Sequence, residues 1–477
     1  MLFPQIRTSG QKSGQDANCA VGPVRRRPLF LSALSSLVAA VLVPLFCAPA
    51  AHAETLEEAL ASAYSSNPTL LAQRAALRAT NENVSQALAG WRPSVSSSVT
   101  AGHKRTDTKT ISDTSLGQRS ASLSVSQSLY SGGRTVAATA QSESFVQAGR
   151  AQLAVVEQNV MLSVASQYMT VLRDQAVLEL NQHNVEVLRK QLEATRDRFE
   201  VGEITRTDVA QAEARLSGAI SQRVQAAGNL KVTQAAYASV VGTMPGTLVK
   251  PAPLTGMPAA EPAAQGLSEE NNPSLQVAMH SELASMHDID ATRGQLLPSV
   301  SLNGDLSKTE DAVARGGRSS SAFLGVTVSV PLYQSGSVYS QLRQSRQLNS
   351  QAKIQVEETR RSVRQQVTQA WERWTTASAA KEARKDQVRA ASIALEGVRQ
   401  ELAVGSRTTL DVLDSEQELL DARVALVSAE TDESIASFDL VSSMGGLTAE
   451  GLGLKVDLYD PAVDYDRVRN KWFGSER

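Results

Sequence analysis

The sequence predicts a mainly α-helical protein that also carries membrane β-strands and is built from one structural unit used twice. Three observations lead to this fold class. Short motifs recur with an offset of 203 to 205 residues, two proline-free stretches of about 68 residues have a helical composition, and four short segments alternate apolar with polar side chains. We therefore expect an internally duplicated chain of long coiled-coil helices with four strands.

The composition fits a folded protein without one thick globular core. The chain has 477 residues, of which 42% are hydrophobic and 20% charged, whereas only 4% are aromatic. Such a chain favours long helices packed through small and medium side chains. Lys and Arg number 47 against 49 Asp and Glu, so there is no basic excess to neutralise phosphates, and nucleic acid is not an expected partner.

Residues 1–53 have the three parts of a secretory signal. Basic residues 25–27 precede an apolar run, 29–46, and Ala51-His52-Ala53 forms a cleavage site of small residues. An uncleaved membrane anchor is the alternative, since the apolar run is nearly long enough to span a bilayer. Pro44 and the small-residue site favour removal.

Cleavage of this signal would change the cysteine content and the charge balance of the exported chain. Both cysteines, Cys19 and Cys47, lie within it, so the rest of the protein has neither disulfides nor thiol chemistry. Five basic residues and one acidic residue leave with it, which gives 42 basic against 48 acidic side chains. No later segment approaches 18 consecutive apolar residues, so the sequence predicts no transmembrane helix.

An internal repeat organises the rest of the chain. Asn67-Pro68-Thr69-Leu70 recurs as Asn272-Pro273-Ser274-Leu275, and Pro93-Ser94-Val95 recurs as Pro298-Ser299-Val300, both with an offset of 205 residues. Three further pairs share an offset of 203: Leu129-Tyr130 with Leu332-Tyr333, Val201-Gly202 with Val404-Gly405, and Asp208-Val209 with Asp411-Val412. The predicted organisation is a signal (1–53), a first repeat (54–242), an extended linker rich in Pro, Gly and Ala (243–266), a second repeat (267–446) and a C-terminal tail (447–477).

Each repeat is expected to contain an opening helix, a strand hairpin, a very long helix and a returning helix. The opening helices lie at 56–90 and 275–297, the long helices at 134–201 and 336–404, and the returning helices extend to 241 and 444. At the usual rise per residue, each long helix would measure roughly 100 Å. Helices of this length imply a coiled coil or a helical tube.

The four short segments predict β-strands of membrane-spanning length. They lie at 94–103, 120–130, 299–308 and 321–333. In residues 121–126 the apolar side chains fall on one face and the serines on the other, as they do in 324–330. A soluble hairpin is the alternative for any one segment, but two matched hairpins on an exported chain favour strands in a membrane. Trp91, Tyr130 and Tyr333 stand at strand ends, where aromatic side chains favour the membrane interface.

Four strands cannot close a barrel, and an open sheet edge in lipid would leave backbone N–H and C=O groups unpaired. Other copies of the chain must therefore supply the remaining strands. Ring symmetry gives eight strands for a dimer or twelve for a trimer, and the trimer leaves room for a lumen. The physics favours a trimeric pore whose polar hairpin loops, 104–119 and 309–320, face outward.

The strongest signature lies at the two helical turns, where residues 404–414 (Val-Gly-Ser-Arg-Thr-Thr-Leu-Asp-Val-Leu-Asp) match residues 201–208. Together with the Asn-Pro helices, the hairpins that end in Leu-Tyr and the long helices, they resemble the TolC-like outer-membrane efflux protein family over essentially all of 54–450. The resemblance implies a homotrimer, with a twelve-stranded barrel in the outer-membrane lipid of a Gram-negative bacterium and an α-barrel tunnel in the periplasm. It also implies docking to a periplasmic adaptor and to an inner-membrane transporter of the RND or ABC type, for drug efflux or type I secretion.

The resemblance further implies where the periplasmic end of the tunnel closes. Carried over, the gate and selectivity residues are Gln191, Asp208, Arg407, Asp411 and Asp414. The adaptor would dock at the helix turns formed by Val201, Gly202, Val404 and Gly405. A hydrogen-bonding tyrosine of the family's constriction corresponds to Leu402 here, which departs from the family's gate network.

Local capping is a simpler role for two of these aspartates. Asp208 and Asp411 each come three residues after a threonine at a helix start, the T-x-x-D spacing close to that of a capping box. Capping does not account for Asp414, which shares a helix face with Asp411 and corresponds to Gln211 in the first repeat. In a trimer the pair would place six carboxylates around the axis, and we hypothesise that they select cations.

Motifs of enzymes are not found. The sequence has neither a Walker-type Gly-rich loop nor an H-E-x-x-H motif, and the four histidines after the signal fit solvated surfaces better than a metal site. We therefore expect neither catalysis nor a cofactor or metal. The rival interpretations are a periplasmic or surface coiled-coil spacer or adhesin, and a periplasmic adaptor, which usually has one helical hairpin and lacks paired strands.

Overall fold

The computed structural model describes residues 54–108, 111–254, 256–312 and 315–475; the expected signal, 1–53, lies outside these ranges. The first half contains α1 (Leu56–Ser66), α2 (Pro68–Leu88), β1 (Ser94–Thr108), β2 (Ile111–Tyr130), α3 (Arg134–Glu200) and α4 (Arg206–Val241). The second half contains α5 (Glu261–Asn271), α6 (Pro273–Arg293), β3 (Ser299–Glu310), β4 (Arg318–Ser329), α7 (Ser337–Ala403) and α8 (Thr409–Ser443), and α9 (Pro461–Arg469) follows in the tail. The mainly helical fold class with four strands is confirmed.

Each half opens on two helices that are separated at an Asn-Pro pair. Pro68 has no N–H to donate and Asn67 before it is extended, with ψ at 123°, so α1 ends and α2 begins there. The Asn67 side chain accepts hydrogen bonds from two backbone N–H groups and caps α2, and Asn272 does the same for α6. The prediction of one continuous helix over 56–90 was therefore wrong, because proline fits the first turn of a helix but not its interior.

The segment predicted to be an extended linker, 243–266, is partly helical. α5 begins inside it at Glu261. Pro262 lies in the first turn of α5, where a missing N–H removes no helical hydrogen bond, and the other prolines of the segment all precede Glu261. α5 is the counterpart of α1, so a helix crosses the boundary that the sequence pattern places at 266.

The long helices α3 and α7 have 67 residues each, which is about 100 Å at the usual rise per residue. Each follows a glycine with positive φ, Gly133 at 81° or Gly336 at 75°. α3 packs against α4 and α6, whereas α7 packs against α8 and α6. The predicted bounds of both long helices are confirmed to within a residue. No helix in the described part of the chain combines the length and the apolar character needed to cross a membrane.

The four strands pair in chain order, β1-β2-β3-β4, and every pair is antiparallel. The β2–β3 pair joins the two halves of the chain; Val125, for example, lies opposite Gly304. β1 and β4 are the edge strands of this sheet.

The first hairpin is longer than the sequence predicts. β1 continues to Thr108 and β2 begins at Ile111, so most of the predicted loop at 104–119 is strand. Charged residues do not end the strands because backbone pairing continues past them, with Lys104 opposite Leu116. The hairpin therefore reaches farther from the helices than expected.

The second hairpin differs from the prediction at both ends. β3 and β4 approach to Glu310 and Arg318, so the strands extend into the predicted loop at 309–320. At the other end β4 stops at Ser329, before Pro331, which cannot donate to a strand ladder. Tyr333 consequently lies beyond the strand rather than closing it.

The main hydrophobic core forms where α1, α2, α3, α4, α8 and the C-terminal tail meet. Its large buried side chains include Leu70, Met161, Tyr168, Tyr237 and Leu447. The Tyr168 hydroxyl donates to the backbone carbonyl of Val249 at 2.6 Å. The Tyr237 hydroxyl donates to the Glu54 carboxylate, also at 2.6 Å, so both buried phenols are satisfied.

Candidate functional site

The two helical hairpins, α3–α4 and α7–α8, end in turns of nearly identical geometry. In each turn the glycine adopts a left-handed conformation, with φ at 82° for Gly202 and 81° for Gly405. The residue after the glycine donates its N–H to a carbonyl five residues earlier at 2.9 Å, which ends the helix. Val201 and Val404 are 72% and 80% exposed, so the adaptor-docking residues predicted from the sequence form the exposed ends of the hairpins.

Asp208 and Asp411 cap the helices that begin after these turns. Each carboxylate accepts two hydrogen bonds from one threonine, Thr205 or Thr408, whose backbone N–H lies at 2.8 Å and whose hydroxyl lies at 2.7 Å. These bonds hold the pKa of both carboxyls below the usual range. The capping interpretation therefore describes both aspartates within one chain.

Arg407 pairs with a residue of its own hairpin. Its Nε donates to the Glu401 carboxylate at 2.8 Å, and both side chains are half exposed. Asp208, in the other hairpin, accepts from Thr205. The described residues thus do not bring Asp208 and Arg407 together within one chain.

Asp414 makes a contact that joins the two hairpins. Its carboxylate lies 2.5 Å from Nη2 of Arg215 on α4, so α8 of the second half is tied to α4 of the first. Sequence reasoning missed Arg215, because the pair spans 199 positions and the counterpart of Arg215 in the second repeat is Glu418. Local spacing gives no signal for this contact.

Each hairpin also contains an ion pair between its two helices, at equivalent positions of the repeat. Arg196 lies 2.6 Å from Glu213 in the first hairpin, and Arg399 pairs with Glu416 in the second. Most of these side chains are well exposed, so such a pair contributes on the order of 0.5 kcal/mol. Sequence reasoning missed both pairs as well, although both members recur with the 203-residue offset of the repeat.

Gln191 and Leu402 lie on the long helices toward the same hairpin ends. Gln191 on α3 is half-buried. Leu402 on α7 packs against an apolar cluster that includes Leu395, Val412 and Leu419. Leu402 therefore packs the second hairpin, where the resemblance leads one to expect a hydrogen-bonding tyrosine.

The sheet has one apolar and one polar face. Residues directly opposite each other on antiparallel strands share a face, and Val95, Val125, Gly304 and Leu324 form one such row. The apolar face carries Val95, Val99, Leu123, Val125, Leu302, Leu306, Leu324, Val326 and Val328. Its side chains are widely exposed, 80% for Val99 and 77% for Leu324.

The opposite face is made mostly of serine, threonine, asparagine and aspartate. Its side chains bond across neighbouring strands: Ser124 donates to Asp305 at 2.9 Å and Ser126 donates to Asn303 at 2.9 Å. Hydroxyl pairs at 2.7 to 2.8 Å continue this pattern nearer the edge strands. Phe323 is an exception on this polar face.

The three predicted interface aromatics lie where the sheet meets the helices. Trp91 is in a short 3-10 turn after α2 and Tyr130 is the last residue of β2; both are partly exposed. Tyr333 follows β4 and is 79% exposed. All three therefore flank the same end of the sheet.

A solvent-open groove of about 770 Å³ lies between α3, α7 and α8. Alanines line much of it, and Arg373 on one side pairs with Asp439 on the other at 3.2 Å. Among the residues that the structure describes, no group of three or more His, Cys, Asp and Glu is placed to hold a metal ion.

The comparison with protein families decides the assignment. The sequence model of the family described as outer membrane efflux protein matches residues 59–243 and 266–446. The chain belongs to the outer membrane efflux protein family. The two matched segments correspond closely to the two repeats, so the family resemblance stated above is confirmed on both halves of this efflux protein.

Two relatives and one solved structure show how far the likeness extends. The efflux protein is 34% identical over 452 residues to the outer membrane efflux protein BepC of Brucella suis, a match that covers 94% of this chain and 98% of that protein. It is 29% identical over 281 residues to the outer membrane protein TolC of Vibrio cholerae, over 56% of this chain and 64% of that one. The CmeC outer membrane channel of Campylobacter jejuni shares the fold, with a TM-score of 0.72 at 15% identity over 87% of this chain and 89% of that one.

These findings confirm the predicted location and the class of protein. The efflux protein is a channel of the Gram-negative outer membrane with a helical tunnel on the periplasmic side. The rival interpretations, a coiled-coil spacer or adhesin and a periplasmic adaptor, are set aside by the family assignment.

Proposed function

We propose that three copies of this efflux protein assemble around one axis into a continuous exit duct. Their strands form one twelve-stranded barrel in the outer membrane, and their helices form an α-barrel in the periplasm. An inner-membrane transporter of the RND or ABC type, coupled through a periplasmic adaptor, delivers drugs or secreted proteins to the periplasmic entrance. The duct itself conducts passively.

The two-faced sheet is the observation that carries this proposal. An apolar face with side chains as exposed as Val99 and Leu324 is unfavourable in water, by roughly 25 cal/mol for each Å² left uncovered. In a bilayer the same face contacts lipid, and the serine-rich face lines a water-filled lumen. The two faces therefore fit the wall of a membrane barrel and not a soluble hairpin.

The strand directions support closure by other copies. With three antiparallel pairs in sequence, β4 runs opposite to β1. A neighbouring copy can therefore add its β1 to the free edge of β4 and continue the antiparallel pattern around the ring. Closure removes both edges, which lipid would not tolerate.

The ends of the helical hairpins form the periplasmic entrance and the docking site for the adaptor. Val201 and Val404 are exposed apolar side chains at helix turns, which suits contact with helices of a partner. The hairpins repeat in each copy, so a trimer presents six such turns in a ring.

The Arg215–Asp414 pair holds this entrance closed and is called the latch below. It ties α8 to α4 at 2.5 Å, and its rupture frees the second hairpin to move away from the axis. In each chain Asp411 accepts a hydrogen bond from Thr408 and Asp414 pairs with Arg215. All six carboxylates of a trimer therefore have a partner while the pair is intact. Opening releases Asp414, so the cation selectivity of the entrance increases as the gate opens.

Substitution of Arg215 tests the latch. In planar bilayers, Arg215→Ala should raise single-channel conductance and cation selectivity, and the exchange Arg215→Asp with Asp414→Arg should return both toward the wild type. Arg196→Ala, which breaks an ion pair within one hairpin, is the matched control and should leave conductance unchanged. Equal conductance of Arg215→Ala and the wild type would contradict the latch.

The function itself is tested by conductance and by export from cells. Purified protein should insert into planar bilayers with current steps of one main size, and a strain that lacks the gene should accumulate a fluorescent efflux substrate until the wild-type gene is restored. The proposal fails if the protein gives no current steps and leaves the membrane fraction on washing with salt, as a peripheral spacer would.

A further inference from the structure

The C-terminal tail, residues 447–475, returns from the second half of the chain to the first. The Ala449 N–H donates to Glu157 on α3 at 2.7 Å, and the Tyr459 N–H donates to the hydroxyl of Tyr64 on α1 at 3.0 Å. Arg74 on α2 lies between the rings of Tyr64 and Tyr459, 4.4 and 5.2 Å from their centres. The tail is thus fixed to the first half before α9 begins.

From there α9 runs along α2 toward the sheet. Asn81 of α2 donates to Asp464 at 3.1 Å, and farther along α2 the Ser85 hydroxyl donates to the Lys471 carbonyl at 3.4 Å. Arg92, which stands two residues before β1, donates to the same Lys471 carbonyl at 2.8 Å. The end of the tail is therefore held at the junction of the helices and the sheet.

Two aromatic side chains project from this anchored end. The Trp472 ring lies 5.2 Å from the Arg92 guanidinium carbon, and the ring centres of Trp472 and Phe473 are 6.4 Å apart. Trp472 is 57% exposed and Phe473 is 86% exposed. Arg92 directly follows Trp91, so the pair lies beside an aromatic residue already expected at the membrane interface.

We propose that Trp472 and Phe473 form an anchor that inserts into the headgroup region of the periplasmic phospholipid leaflet beside the barrel. This rests on the proposed function, because it requires the strands to span the outer membrane. Tryptophan and phenylalanine favour the boundary between headgroups and acyl chains. The described partners of Arg92 are two backbone carbonyls and an indole ring, none of which neutralises its charge, so a lipid phosphate is the complementary group.

The position of the pair favours lipid over a neighbouring copy of the chain as its occupant. The tail is tied to α2 through the bond from Asn81 to Asp464. It is tied to α3 because Arg469 pairs with Glu143 at 2.8 Å and Tyr465 packs against Arg150, with 5.4 Å between guanidinium carbon and ring centre. Trp472 and Phe473 follow α9 and lie beside Arg92, the residue next to Trp91. The pair thereby adds two residues of the C-terminal tail to the three aromatics, Trp91, Tyr130 and Tyr333, at this end of the sheet.

Tryptophan quenching in vesicles tests the anchor. The chain has four tryptophans. Two variants keep a single tryptophan, Trp91 or Trp472, and a third keeps the pair Trp371 and Trp374 on α7; the other tryptophans are changed to phenylalanine in each. Full-length protein is reconstituted into phosphatidylethanolamine and phosphatidylglycerol vesicles with phospholipid brominated near the headgroup end of its acyl chains. Fluorescence loss is compared with that in vesicles of unbrominated lipid.

The anchor predicts that Trp472 loses fluorescence to the same degree as Trp91, while the Trp371 and Trp374 pair on the helical part is not quenched. A further variant keeps the test valid if a single-tryptophan variant folds poorly. In the otherwise wild-type chain, Trp472→Phe should lower the fraction of the fluorescence that brominated lipid quenches. If Trp91 is quenched and Trp472 is not, the pair contacts a neighbouring copy or the periplasm, and the anchor is overturned. If neither is quenched, the barrel itself is not in the membrane, and the proposed function falls with the anchor.

Discussion

Glu157 on α3 is a partly buried carboxyl group whose charged form is disfavoured by burial. Its carboxylate accepts a hydrogen bond from the Ala449 N–H at 2.7 Å and lies near the Arg74 guanidinium. Burial nevertheless raises its pKa, because these contacts do not fully offset desolvation. A carboxyl whose pKa rises on folding stabilises the fold most below its unfolded pKa, and that contribution is lost as the pH rises through the folded value.

Glu157→Gln should therefore stabilise the protein at neutral pH. Glutamine keeps an acceptor for the Ala449 N–H without a buried charge, so the free energy of unfolding at pH 7 should rise. Thermal unfolding between about pH 4 and pH 8 measures the effect, and the gap between variant and wild type should widen as the pH rises. Glu186→Gln, at an exposed position of the same helix, is the control. A Glu157→Gln protein that melts below the wild type at neutral pH would contradict this account.

Tyr237 tests whether the start of the described chain is held by a charged hydrogen bond. The residue is fully buried, its hydroxyl donates to Glu54 at 2.6 Å, and burial raises the pKa of the phenol, which keeps it protonated. Tyr237→Phe should cost about 1.5–3 kcal/mol of unfolding free energy, because Glu54 loses a donor in a partly buried place. Tyr333→Phe, at a residue that is 79% exposed, should be neutral. Indistinguishable melting of the two variants would show that the bond does not stabilise the fold.

Sequence spacing predicts contacts between near neighbours and misses those between distant residues. The caps at Asp208 and Asp411 follow from a three-residue spacing, and the structure has both. The Arg215–Asp414 pair joins residues 199 positions apart and depends on how two hairpins meet, which no local pattern records. Whether the gate residues act as the resemblance implies stays a prediction.

At the scale of helices and strands, the sequence predicts the long elements well and their interruptions poorly. The bounds of α3 and α7 follow from proline-free stretches between glycines that must adopt positive φ. The break at Asn67-Pro68 was missed because the residues on both sides are helical. The strand ends at the hairpin tips were misplaced because pairing partners, rather than residue type, decide where those ladders stop, whereas the early end of β4 follows from Pro331.

The glycine turn at the end of α7 gives a prediction with an internal control. Gly405 has φ at 81°, and a Cβ there would meet nothing within 4 Å, so Gly405→Ala strains only the backbone and should cost about 1–2 kcal/mol. Gly397 lies inside α7 with similar open space, and Gly397→Ala should instead stabilise the helix by roughly 0.5–1 kcal/mol. Thermal unfolding of the two variants should therefore shift in opposite directions. An unchanged or raised melting temperature for Gly405→Ala would mean that the turn does not require its left-handed residue.

At the scale of the whole molecule, duplication leaves two halves that depend on each other. The β2–β3 pair joins them in the sheet, the Arg215–Asp414 pair joins them at the hairpin ends, and the tail carries the second half back onto α1 and α2. The repeat itself could be predicted, since its motifs recur at a nearly constant offset. The path of the tail could not, because residues 447–475 have no counterpart in the first half and are placed by contacts such as that of Arg92 with Lys471.

In the proposed trimer one chain supplies a third of a closed wall. Native mass spectrometry of the protein extracted from outer membranes in mild detergent counts the chains in each intact particle. We expect particles of three chains that survive transfer to the gas phase as one species. Particles of one or two chains, at concentrations where the protein is active in bilayers, would contradict the trimer.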